Sequence, residues 1–224
     1  MSSEKSRAEN SKKALQKADF TGADLKGADL SSGVLIEACL KNADLTEADL
    51  SEADISSANF EGARLHRTLL YRSRGRNTNF SRAILTQANL VEANLVSADF
   101  GHANLSESDM EGADLKNAQL KNANLIDTNM TGAYLSNADL SGADFTNSYL
   151  IAADLSDSDL PGANFENADL TGARLRTTNL LSARFFRTRM RGADLTDANL
   201  AYADLTDADL TGVVGADLTG AVLE

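Results

Sequence analysis

Apolar residues recur along this chain with a period of five. Every fifth residue from Phe20 to Leu210 is Leu, Ile, Phe or Met at 38 of 39 positions, the exception being Gly75. Two residues before each of these sits a small side chain, Ala at 29 of the 39 positions and Gly, Ser or Thr at the other 10. The residue between the two is most often Asp or Asn, as in Asp24, Asp44, Asn94 and Asp139, and the next two are polar or Gly. Five fits neither ordinary period. On an α-helix, residues five apart are rotated by about 140°, which scatters an apolar set around the axis. On a strand five is odd, so successive leucines would face opposite sides. The chain must turn once per repeat and present the same position inward each time, which predicts a β-solenoid.

A longer period lies over the first. Phe60, Phe80 and Phe100 are twenty apart, as are Phe145, Phe165 and Phe185, and Met110 and Met130. Four repeats per coil would stack these like residues above one another as the structural core. The unit A-(D/N)-L-x-x, as in Ala23-Asp24-Leu25-Lys26-Gly27, resembles the motif of the pentapeptide-repeat family, and the resemblance runs over residues 18–210 almost without interruption. It implies an all-β fold: a right-handed quadrilateral β-helix with four pentapeptides per coil, its lumen filled by the central Leu or Phe and the preceding Ala. Thirty-nine repeats would make about ten coils, a rod roughly 45 Å long at ~4.8 Å per coil.

Three segments are expected. Residues 1–17 (MSSEKSRAENSKKALQK) read as a polar N-terminal tail, mostly disordered with one turn before Ala18, or as a short helical cap. Residues 18–212 form the β-helix. Residues 213–224 form a frame-shifted C-terminal coil, because after Val213-Val214-Gly215 the motif resumes out of phase as Ala216-Asp217-Leu218 and Ala221-Val222-Leu223. The apolar residues Val213, Val214, Leu218, Val222 and Leu223 leave two expectations there, an end-to-end homodimer and simple fraying of the last coil. At Gly75, the missing lumen residue, two outcomes compete: a bulge of the chain around it, and a weakened coil whose gap Leu69 fills.

Composition removes most other chemistry. The chain of 224 residues has one Cys and two His, too few for a disulfide framework or an ordinary zinc quartet. Cys39 takes the usual Asp slot and should face outward, and His66 and His102 fall in different coils. There is no P-loop, GxGxxG or HExxH. The expectation is a non-enzymatic protein without a cofactor. No apolar run approaches a membrane span and the first residues lack an apolar h-region, so a cytoplasmic protein with no membrane partner is expected.

The charges are sorted along the chain. The net charge is −12, yet twelve of the 13 Arg fall in two blocks: Arg64, Arg67, Arg72, Arg74, Arg76 and Arg82, then Arg174, Arg176, Arg184, Arg187, Arg189 and Arg191. Neither block contains an acid between its first and last Arg, so each should form a positive belt. At Arg64, Arg74, Arg174, Arg184 and Arg189 the Arg replaces the usual Asp or Asn. One reading is docking of an acidic partner protein, since Arg is favoured at interfaces; the other pairs each Arg with an acid on a neighbouring coil. Residues 83–173 hold 14 acids and two Lys, a net −12. Over about 22 Å of rod this approaches the ~13 charges of duplex DNA of that length. Asp before each Leu can also simply bond local backbone at a turn. Two functions follow: a scaffold showing a patterned surface to an unidentified protein partner, and a DNA mimic. The second is implied by resemblance to quinolone-resistance pentapeptide proteins, understood to occupy the DNA-binding groove of DNA gyrase, although this chain adds basic belts and lacks a long protruding loop. Direct binding of nucleic acid is not expected of so acidic a chain.

Overall fold

The computed structural model describes residues 3–224; Met1 and Ser2 lie outside the described residues. Each five-residue unit closes on a four-residue turn. In the unit of Leu25, the Ala28 N–H donates to the Leu25 carbonyl at 3.0 Å, and the third turn residue, Gly27, has φ +56°. Every fifth residue from Lys17 to Gly212 has φ between +51° and +72°, and thirty of these are not glycine. Positive φ at that position is the signature of a type II turn. A side chain there costs about 1–2 kcal/mol, so the rest of the unit must hold it in place.

What holds it is a continuous ladder between coils. The Leu25 N–H donates to the Asp44 carbonyl at 2.8 Å, the Gly27 N–H to the Thr46 carbonyl at 2.9 Å, and the Asp44 N–H to the Ala23 carbonyl at 2.9 Å. Parallel bridges join residues twenty apart, from Asp19 with Cys39 to Asp194 with Val214, so one coil takes twenty residues. The turn bond and the ladder use four of every five N–H groups. The fifth belongs to the residue after the Leu, and the Asp or Asn before the Leu accepts it. Examples are Ser51 to Asp49 Oδ1 at 2.8 Å, Gly101 to Asp99 Oδ1 at 2.8 Å and Ser141 to Asp139 Oδ1 at 3.0 Å. This is the physical reason for Asp or Asn in that slot.

The interior is dry and filled. The central Leu, Ile, Phe and Met and the small residues before them are buried along the rod. Phe60, Phe80 and Phe100 stack with ring centroids 5.0 and 4.9 Å apart, and Phe145, Phe165 and Phe185 with centroids 4.8 and 5.0 Å apart. Those spacings match the distance between paired strands. Where Thr replaces the inward Ala its hydroxyl finds a backbone acceptor, as Thr68 does at the Leu45 carbonyl and Thr78 at the Ile55 carbonyl, both at 2.8 Å.

Three places differ from the sequence expectation. First, the chain does not bulge at Gly75: Leu69 and Arg74 keep their bridges to Asn89 and Asn94. Leu69 does not fill the gap either, since it points outward and is 42% exposed. Ile55 and Leu95, one coil to either side, close it: a methyl group built at Gly75 would stand 3.0 Å from Leu95 Cδ2 and 3.2 Å from Ile55 Cγ1. Second, the N-terminal segment is not a disordered tail: it carries a helix, α1 (Ser3–Asn10). Eight residues are too few to be stable alone, and the first coil supplies what is missing. Ala8 is buried, Arg7 lies over the Phe20 ring at 5.2 Å, and Lys5 Nζ donates to the Lys26 and Gly27 carbonyls at 2.7 and 2.9 Å. Glu9 Oε1 accepts the Asp29 N–H at 3.1 Å, so α1 satisfies edge groups that a preceding coil would otherwise pair. Third, Val213 and Val214 continue the regular coil. The frame slips only beyond Val214, for Val222 pairs with Asp204, eighteen residues back. There the motif resumes two residues early, and Gly215, which stands where a lumen Leu would be, has φ +69°. It passes so close to Thr196 that an added methyl would lie 2.7 Å from Thr196 Cα.

Candidate docking surface

Because the inward positions are filled by the core, the chemistry of the rod is on its outside. The outward slot before each Leu and the two turn residues after it are the places where this sequence varies. Both arginine blocks lie there. Ten of their twelve members form ion pairs with acids on the neighbouring coil. In the first belt Arg64 pairs with Asp44 at 3.6 Å, Arg67 with Glu47 at 3.8 Å, Arg72 with Glu92 at 2.6 Å and Arg74 with Asp54 at 3.4 Å. In the second, Arg174 pairs with Asp154 at 2.9 Å, Arg176 with Asp194 at 3.0 Å and Arg184 with Glu166 at 3.8 Å. Arg187 pairs with Asp207 at 3.6 Å, Arg189 with Asp169 at 3.4 Å and Arg191 with Asp209 at 2.5 Å. Among the described residues Arg76 and Arg82 make no ion pair.

The pairs shift the groups in them. Glu92 raises the Arg72 guanidinium above its usual value through its hydrogen bond and charge. Partial burial pushes the Asp154 carboxyl up, but the Arg174 and Ser156 hydrogen bonds outweigh it and leave the carboxyl below the usual range. Asp209 is lowered to about 2 by the Thr211 hydroxyl first, then by Arg191 and the Thr211 N–H. The arginine side chains remain open, 51–65% exposed in these ten pairs. Exposed pairs of this kind contribute about 0–1 kcal/mol each.

The remaining sequence candidates fall apart from one another. His66 Nδ1 shares a hydrogen bond with Thr86 Oγ1 at 2.8 Å, and Cys39 Sγ with Thr21 Oγ1 at 3.1 Å. Among the described residues no group of three or more His, Cys, Asp or Glu is placed to hold a metal ion, and no helix is long and apolar enough to cross a membrane. Val214, Val222 and Leu223 are 56%, 48% and 50% exposed on the last coil, with Val213 and Leu218 half-buried beside them. The frame shift in that coil was legible in the sequence at Ala216-Asp217-Leu218, but which backbone groups it leaves without a partner depends on which residues pair across the gap.

The family model of pentapeptide repeats matches in eight copies that cover residues 14–31, 34–70 and 76–224. This chain is a pentapeptide-repeat protein. Its similarity to solved structures includes HetL, a pentapeptide-repeat protein involved in heterocyst differentiation regulation from the cyanobacterium Nostoc sp. strain PCC 7120. The two are 32% identical over 84% of this chain and 90% of that one, with a TM-score of 0.44. QnrB1, a plasmid-mediated fluoroquinolone resistance protein, is 22% identical over 91% of this chain and 89% of that one, with a TM-score of 0.45. Rfr23 from Cyanothece 51142 is 34% identical over 52% of this chain and 64% of that one, with a TM-score of 0.26. No curated protein matches.

Proposed function

We propose that this pentapeptide-repeat protein is a non-enzymatic scaffold: a right-handed, four-sided rod of about ten coils that displays its arginine belts to an acidic partner protein. The observation that carries the reading is a trade made inside the repeat. At Arg64, Arg74, Arg174, Arg184 and Arg189 the side chain that elsewhere accepts the turn N–H is replaced by one with no acceptor. Each replacement gives up a hydrogen bond worth about 0.5–1.5 kcal/mol and gains an exposed ion pair worth about 0–1 kcal/mol. Fold stability therefore does not account for the belts, whereas display to a partner does. The test is affinity purification of the tagged protein with quantitative identification of what accompanies it. Arg74→Glu combined with Arg184→Glu should abolish the specific partner while circular dichroism and melting stay close to wild type. An unchanged set of partners would sink the proposal. The apolar last coil supports an added element, an end-to-end homodimer through Val213, Val214, Leu218, Val222 and Leu223; light scattering that finds only monomer at high concentration removes it.

A second reading, mimicry of DNA toward DNA gyrase, is favoured by the linear charge of residues 83–173, a net −12 over about 22 Å. Against it, the Asp before many of the leucines caps the turn by accepting the N–H of the residue after the Leu, so those carboxylates already have a local structural role. Supercoiling by gyrase, assayed with and without the protein and a quinolone, separates the two. Inhibition or drug protection favours the mimic, and neither effect favours the scaffold.

A further inference from the structure

The frame slip at Gly215 opens a notch on one face of the last coil. In the coil beneath, the ladder is complete: Thr177 N–H donates to the Thr196 carbonyl at 2.9 Å, Leu180 N–H to the Asn199 carbonyl at 2.9 Å, and the Thr178 carbonyl accepts the Asn199 N–H at 2.9 Å. One turn on, the equivalent groups are the Asp197 N–H, the Ala198 carbonyl and the Leu200 N–H. Among the described residues none of the three has a ladder partner. The final segment has two residues too few to run alongside them, and it rejoins the ladder only at Gly220, whose carbonyl accepts the Tyr202 N–H at 2.9 Å. Thr219, nearest in sequence to the missing partner, turns its N–H to Asp217 Oδ1 at 3.0 Å instead.

The result is a cavity of about 390 Å³ lined by Asp197, Ala198, Leu200, Gly215, Asp217 and Thr219, among others, within the range of ligand pockets. Its floor is a donor, an acceptor and a donor in strand register. The complement is acceptor, donor, acceptor, which is the edge of a short extended peptide. Its lining includes two carboxylates, Asp197 and Asp217, neither in an ion pair among the described residues. The Thr219 hydroxyl and N–H hold the Asp217 carboxyl below its usual range, so it is charged at neutral pH. No arginine lines the notch.

We infer that this notch is a docking site for an extended peptide segment bearing Lys or Arg, which completes the interrupted ladder with its backbone and meets Asp197 and Asp217 with its side chains. The site is separate from the arginine belts and calls for a partner of opposite charge, so it stands or falls independently of the scaffold reading. A full-length protein sample titrated with the labelled pentapeptide acetyl-VKVKV-amide tests it. Saturable one-to-one binding is expected, together with at least about a tenfold slowing of hydrogen exchange at the Leu200 amide. Acetyl-VEVEV-amide should not bind. A backbone N-methylated VKVKV, with its charge intact, should bind at least about tenfold more weakly. Inserting Asn-Ala between Gly215 and Ala216 restores the twenty-residue spacing and should abolish binding. No saturable binding, or binding that survives both methylation and insertion, overturns the proposal. So does a Leu200 amide already protected in a dimer without peptide, which would make a second copy of this chain the occupant.

Discussion

Gly75 offers a prediction whose sign depends on tertiary structure. In the sequence it is a hole: 38 of 39 lumen positions carry a large apolar side chain and this one carries none. Were the hole empty, Gly75→Leu would fill it and stabilise by about 1.5–3 kcal/mol. In the structure Leu95 Cδ2 and Ile55 Cγ1 already stand 3.0 and 3.2 Å from the point where a Cβ would sit, and Thr78 Oγ1 is also at 3.2 Å. A leucine would have to push both apolar neighbours and a hydroxyl bonded to the Ile55 carbonyl. The expected outcome is overpacking, a loss of about 1–3 kcal/mol. Gly75→Ala separates the terms. One buried methyl contributes about 0.8 kcal/mol and the stiffer unfolded chain about 0.4–1 kcal/mol, against compression of the flexible Leu95 end. Alanine should therefore fall within about 1 kcal/mol of wild type. Urea denaturation followed by circular dichroism measures both, with the m-value checked for constancy because solenoid coils can unfold piecemeal. A leucine variant more stable than wild type would refute the packing argument.

Two further outcomes follow from the turn and the charges. Asp139→Ala removes the acceptor of the Ser141 N–H at 3.0 Å and of its hydroxyl at 2.5 Å and should cost about 1 kcal/mol, whereas Asp139→Asn keeps an oxygen there and should cost less than half as much in the same melt. Acid should weaken the rod: Asp29, lowered to about 2 chiefly by Lys12 and then Ser31, and Asp209, lowered to about 2 by Thr211 and Arg191, contribute stability that is present above pH ~4 and lost as pH falls through about 2. Thermal melts from pH 6 to pH 2 should be level above pH ~4 and drop below it. Asp209→Asn should shrink the drop, and a flat profile to pH 2 would contradict the assignment.

Much of this molecule is readable in five residues. Leu25 and its counterparts had to point inward, because no helix or strand keeps a period of five on one face. The small residue two places earlier had to share the lumen, and the twenty-residue spacing of Phe60, Phe80 and Phe100 anticipated the ring stacks. The polar N-terminal segment was less legible. After Met1 only Ala8, Ala14 and Leu15 are apolar, so it lacks the stripe of a helix, and α1 exists because the edge of the first coil holds it. The belts lay between these cases. Their arginines stood out in the sequence, but alternate partners lay one coil up and one coil down. Arg174, in register with both Asp154 and Asp194, pairs with Asp154, while Arg176 takes Asp194.

The sequence alone determined what repeats: the inward residue, the turn, the oxygen that caps it and the coil of four units. Each of these is decided within a few residues and then multiplied along the chain. Only the tertiary structure decided what does not repeat: how Ile55 and Leu95 close over Gly75, which acid each arginine takes, and that the ladder of the last coil lapses at Asp197, Ala198 and Leu200. Those outcomes depend on side chains twenty residues apart competing for the same space or the same charge, and a local pattern carries no record of that competition.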